Sequence, residues 1–249
     1  MKKFLILLGM FAATTAANAA TDTLTVRIKG MRCEECAHKV KNVLRKDAGV
    51  GTIDFNLERR TATIAFDGAK TCADSIRAHL AATGRYAASA YSPSDVINRG
   101  MGLRIDDMFC QKCVNRVTKS LEGVAGIDSL APHLDKHYVF VRYDANRTDK
   151  ATIREAVLKA GHTPVNYYSS DKVGYAYYTL PEVASAQDII ESVIAIDGVE
   201  DVNVNARRKS MAVTFFTEET TSEKLLQAIH EAGIKAVVPP AHECKEEQK

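Results

Sequence analysis

The chain has 249 residues, 46% of them hydrophobic, and its 33 Lys and Arg nearly balance 31 Asp and Glu. That length allows more than one domain, and the even charge argues against the basic surface that a nucleic-acid partner requires. Six cysteines among ample aliphatic residues do not make a small scaffold that depends on disulfides.

Lys2 and Lys3 open the chain, Phe4 to Ala13 form an apolar run, and Ala17-Asn18-Ala19 is a small-residue cleavage site. This is the order of a secretory signal peptide over residues 1–19. The run is too short to span a bilayer, and no later segment is long and apolar enough for a membrane span. No cysteine follows the cleavage site, so no lipid anchor is expected there. Cleavage near Ala19-Ala20 leaves an exported protein, periplasmic or secreted. Losing Lys2 and Lys3 takes its bases from 33 to 31, equal to its 31 acids.

A short alternating strand then leads into Gly30-Met31-Arg32-Cys33-Glu34-Glu35-Cys36. The arrangement returns as Asp107-Met108-Phe109-Cys110-Gln111-Lys112-Cys113. Two cysteines three apart can turn both sulfurs to one side of a loop that opens a helix. Thiolate is the soft ligand that selects Cu(I), Zn(II) or heavier thiophilic ions. A helix N-terminus favours thiolate. One such pair is a weak signal, but two, each behind the same Met and strand, are a strong one. Exported cysteines default to disulfides, yet the CxxC pairing favours metal binding for these four.

Met-x-Cys-x-x-Cys between a strand and a helix resembles the metal loop of the heavy-metal-associated domain. That family includes soluble copper chaperones and the N-terminal modules of copper pumps. The resemblance implies a ferredoxin-like fold and Cys33, Cys36, Cys110 and Cys113 as metal ligands. It implies that Met31 and Met108 point into the core and fix the loop. It also places the residue after each unit's late glycine beside the ion. That residue is Arg85, then His162, then Ile234. The sequence departs from the family at Asp107, where Gly is usual, and at acidic Glu34-Glu35.

Aligning Cys33 with Cys110 and with Glu182 shows one unit three times, without gaps from the loop to the second helix. Gly49, Gly126 and Gly198 coincide, as do Gly84, Gly161 and Gly233. Val26 and Ile28 match Leu103 and Ile105, then Tyr175 and Tyr177. Leu180 takes the place of Met31. Each unit reads strand, helix, strand, strand, helix, strand, the split βαβ order. The fold class is therefore α+β, with three tandem ferredoxin-like βαββαβ domains over residues 22–91, 101–168 and 173–239. Residues 240–249 form a charged tail expected to be disordered. Ala90–Gly102 and Tyr168–Gly174 read as linkers.

Arg85 is placed to offset the negative charge of a bis-thiolate Cu(I) site. His162 is a candidate third ligand of the second pair. Glu34 and Glu35 should raise the thiol pKa values of the first pair, and Lys112 should lower those of the second. Cys72 begins a helix at the far end of its unit and reads as a small buried residue or helix start. The third unit has Glu182-Val183-Ala184-Ser185 in place of thiols, so contact with a partner or its neighbours is its expected role. Tyr167, Tyr168, Tyr175, Tyr177 and Tyr178 mark a surface for that contact or belong to strands and core.

The expected function is an exported, non-enzymatic protein that holds a soft ion, Cu(I) foremost, and passes it on by thiol exchange with a protein donor or acceptor. Hg(II) or Zn(II) are the alternatives within the same fold, Zn(II) needing further ligands. A dithiol–disulfide redox protein or an adaptor are the alternatives outside it.

Overall fold

The computed structural model describes residues 21–240. The expected signal peptide and the tail with His242 and Cys244 lie outside them. The chain divides into two compact units, one ending at Ser92 and the other beginning at Pro93. No helix among the described residues is long and apolar enough to cross a membrane.

The first unit is one domain: β1 (Thr21–Lys29), α1 (Glu34–Leu44), β2 (Val50–Asn56), β3 (Thr61–Asp67), α2 (Ala73–Ala82) and β4 (Ala87–Ala90). Its antiparallel sheet runs β2-β3-β1-β4. Alternation sends Val26 and Ile28 of β1 and Ala62, Ile64 and Phe66 of β3 to one face. Val40 and Leu44 of α1 and Ile76 and Leu80 of α2 close over that face. Met31 is fully buried there, which agrees with a packing role.

The second domain repeats the pattern: β5 (Asn98–Arg104), α3 (Gln111–Glu122), β6 (Ile127–His133), β7 (Tyr138–Asp144), α4 (Lys150–Lys159) and β8 (Val165–Asn166), in sheet order β6-β7-β5-β8. Its first strand starts earlier than expected, inside the stretch read as linker. The Ile97 side chain is buried and its backbone N–H donates to Asp144 Oδ1 at 2.9 Å, which draws residues before 101 into the sheet. The third domain has β9 (Val173–Thr179), α5 (Ala186–Ile194), β10 (Val199–Asn205), β11 (Ser210–Phe216) and α6 (Ser222–Glu231). Its sheet is β10-β11-β9, and its last strand is reduced to one bridge between Thr179 and Val237. The six aligned glycines all adopt positive φ, between 66° and 101°. That conformation carries no penalty only for Gly, which is why the turns recur at fixed spacing.

The third domain corrects three equivalences. The backbone N–H of Ile28 donates to Arg60 O, that of Ile105 to His137 O, and that of Leu180 to Lys209 O. Leu180 therefore stands where Ile28 and Ile105 stand, not where Met31 does. Ala176 and Tyr178 face the core, while Tyr175 and Tyr177 face the other way. The offset of three residues falls in and after α5, which has 9 residues against 11 in α1 and 12 in α3. The helix is shorter by less than one turn of 3.6 residues. Ser185 is its N-cap, so Ser185 and not Glu182 stands where Cys33 stands in α1 and Cys110 in α3.

The second and third domains share one unit because the free face of the third sheet is covered. Asn203 Nδ2 donates to Pro164 O at 2.9 Å, and Asn205 Nδ2 to His162 O at 3.1 Å. Thr163 and Ser210 hydroxyls meet at 2.6 Å, and Thr214 Oγ1 donates to Asn166 O at 3.0 Å. Arg154 pairs with Asp201. Tyr138, Tyr167 and Tyr175 stack in series with centroid spacings of 4.1 and 6.0 Å. Almost every residue of β11 is buried on one face or the other, as for a sheet covered on both sides. Of the tyrosines singled out in the sequence, Tyr167, Tyr168, Tyr175 and Tyr177 lie along this contact, and Tyr178 lies in the core.

Candidate metal centres

Each thiol pair straddles a helix start. Cys33 is the N-cap of α1 in extended backbone, and Cys36 lies in the first turn. Cys110 and Cys113 repeat this on α3. The sulfurs are 3.1 Å apart in the first pair and 3.0 Å in the second, and all four are free thiols. Metal–sulfur bonds of about 2.3 Å across such a gap would close to an angle of about 85°, so each pair must spread to take an ion. Cys33 and Cys110 are exposed, Cys113 partly so, and Cys36 is covered.

The thiols are tuned unequally. A hydrogen bond from the Arg32 backbone and another from Cys33 pull Cys36 down to about 7, and the Arg85 charge adds to the effect. The rise expected from Glu34 and Glu35 is not found at Cys36, which is lowered instead. Glu35 is instead engaged by Lys39 one turn on. In the second pair Cys110 is lowered by the Cys113 side chain and backbone, with Lys112 contributing. Burial pushes Cys113 up, and its hydrogen bond to Cys110 adds to that.

His162 is not brought to its expected place as a third ligand. It is 2% exposed, and its Nδ1 lies 2.9 Å from Asp107 Oδ1. Its Nε2 is buried without a hydrogen-bond partner among the described residues. Among those residues no group of three His, Cys, Asp or Glu side chains is placed to hold an ion. Among the described residues, each thiol pair therefore stands without a third or fourth candidate ligand placed beside it. Cys72 caps α2 as a helix start, but it is exposed, with its sulfur 3.3 Å from Ser75 Oγ.

His137 reaches the second thiol loop from the hairpin between β6 and β7. It ends a short 3₁₀ turn in the left-handed region (φ 53°), and its Nδ1 lies 3.0 Å from the Met108 carbonyl oxygen. Its ring meets Phe109 edge-on at 5.9 Å. Arg60 and Lys209 hold the same left-handed hairpin position in the other domains. The repeat marked that position, but not which side chain there would face the loop.

The model of the heavy-metal-associated domain matches residues 25–85, 103–163 and 183–235. The mercuric transport protein periplasmic component of Pseudomonas fluorescens is 41% identical over 71 residues, covering 28% of this chain and 78% of that protein. A copper-exporting P-type ATPase of Bacillus subtilis is 24% identical over 139 residues, covering 56% of this chain. The chain spans only 16% of that ATPase's length. The solved N-terminal soluble domains of Bacillus subtilis CopA are 23% identical, covering 61% of this chain and 98% of that one, with a TM-score of 0.28. The chain belongs to the heavy-metal-associated domain family and carries that domain three times in tandem.

Proposed function

We propose that the protein binds soft metal ions at Cys33–Cys36 and Cys110–Cys113, Cu(I) foremost, and hands them on by thiol exchange. The observation that carries this is the paired sulfurs, 3.1 and 3.0 Å apart, repeated at two helix starts. The similarity to a copper-exporting ATPase supports Cu(I) as the cargo. Open two-sulfur sites suit transfer, because an incoming thiol can join before an outgoing one leaves. The protein's role is carriage or sequestration, with no reaction catalysed. A protein donor or acceptor supplies the exchanging thiols. The 41% identity to a mercuric transport component favours Hg(II) as the second reading, and that protein's periplasmic name supports export.

Anaerobic titration of reduced protein with Cu(I), against a colorimetric chelator, tests the proposal. Cys33→Ser with Cys36→Ser should leave one ion per chain, and adding Cys110→Ser with Cys113→Ser should leave none. Equal retention by the fourfold variant would contradict it.

A further inference from the structure

The loops that carry the two thiol pairs are anchored differently. In the first domain Gly30 adopts φ 92°, and a side-chain carbon there would lie 2.5 Å from the Arg85 carbonyl oxygen. The loop backbone therefore presses directly on the late turn. Asp107 holds the corresponding position in the second domain and is not in the left-handed region. Its carboxylate fills the junction. Oδ1 lies 2.9 Å from His162 Nδ1 on the late turn, and Oδ2 accepts the Tyr177 hydroxyl at 3.3 Å. Tyr177 belongs to β9 of the third domain. Asp107 and His162 are buried at this contact. The third domain also grips the late turn, through Asn205 on the His162 carbonyl and Ser210 on Thr163.

Asp107 precedes Cys110 by three residues, and the intervening Met108 is fully buried. The start of the loop is therefore tied to the third domain while its thiols stay accessible. We infer that Tyr177 and Asp107 are positioning residues through which the thiol-free third domain sets the loop carrying Cys110 and Cys113. The inference rests on the dithiol reading of that pair. A loop already held loses less freedom when it closes on an ion, so the ion is held more tightly. Gly30 has no side chain through which a second domain could act on the first loop.

The test uses the full chain with Cys33→Ser and Cys36→Ser, so that only the second pair reports. Cu(I) affinity is measured by anaerobic competition, with thermal unfolding followed in parallel. Tyr177→Phe removes only the hydroxyl, and its loss should weaken binding about fivefold, the equivalent of one hydrogen bond. Asp107→Gly should weaken it similarly, and adding Tyr177→Phe to Asp107→Gly should change nothing further. In the chain with Cys110→Ser and Cys113→Ser, Tyr177→Phe should leave the first pair unaltered. Equal affinities for Tyr177→Phe and its parent, with or without a drop in unfolding temperature, overturn the inference. A parent chain that takes up no Cu(I) overturns the dithiol reading itself, and this inference with it.

Discussion

Arg154 of α4 and Asp201 of β10 form an ion pair between the second and third domains, and the Asn166 backbone N–H donates to the same carboxylate at 2.8 Å. Their side chains are 21% and 13% exposed. Removing the carboxylate leaves a part-buried guanidinium and an amide short of an acceptor. Asp201→Ala should therefore cost about 2 kcal/mol. Hydrogen exchange read by mass spectrometry should show β8, β10 and β11 losing protection together. Loss confined to the third domain would mean that the two domains do not share one cooperative transition.

The unequal thiols give a pH signature. Cys36 is depressed to about 7, so its thiolate is present above that pH and lost as pH falls through it. Burial raises Cys113, so its thiolate appears at higher pH than that of an ordinary thiol. Iodoacetamide labelling of reduced, metal-free protein, mapped by mass spectrometry across pH and scaled to each thiol's own plateau, should give Cys36 a lower pH midpoint than Cys113. Arg85→Ala should move the Cys36 curve to higher pH. Coincident curves for the two cysteines would contradict this ordering.

The domains should fold without metal. In the first domain, core residues from all four strands and both helices meet without the thiols having to be bridged. The third domain builds a complete core with no thiol at all. Small domains whose fold is held by zinc behave oppositely and unfold when chelated. Far-ultraviolet circular dichroism should be unchanged by a thiol-competent chelator under reducing conditions. A collapse of helical signal on chelation would show that an ion is structural.

The fold was legible where the chain repeats a physical necessity. Gly49, Gly126 and Gly198 recur because each follows a helix and takes positive φ. Val26, Ile28, Ile64 and Phe66 alternate because only one face of the first sheet meets helices. The register of β9 was not legible, because Tyr175, Ala176, Tyr177 and Tyr178 are covered on both faces and show no period of two. Asn203 and Asn205 look like solvent-facing residues of a half-buried strand. They are buried because backbone carbonyls of the second domain accept their side-chain amides. The thiol pairs were legible as motifs, since spacing alone puts both sulfurs at a helix start. The fate of His162 was not, because its partner Asp107 lies 55 residues away in sequence. Glu35 does not stand beside the first pair as a lone charge, because Lys39 pairs with it one turn on.

Native mass spectrometry of the reduced chain, loaded anaerobically with excess Cu(I) and freed of loosely held ions, tests the central claim most directly. The account predicts two Cu(I) per chain, one after Cys33→Ser with Cys36→Ser, one after Cys110→Ser with Cys113→Ser, and none when all four are replaced. An unmetallated parent, or two ions still held by the fourfold variant, would contradict it.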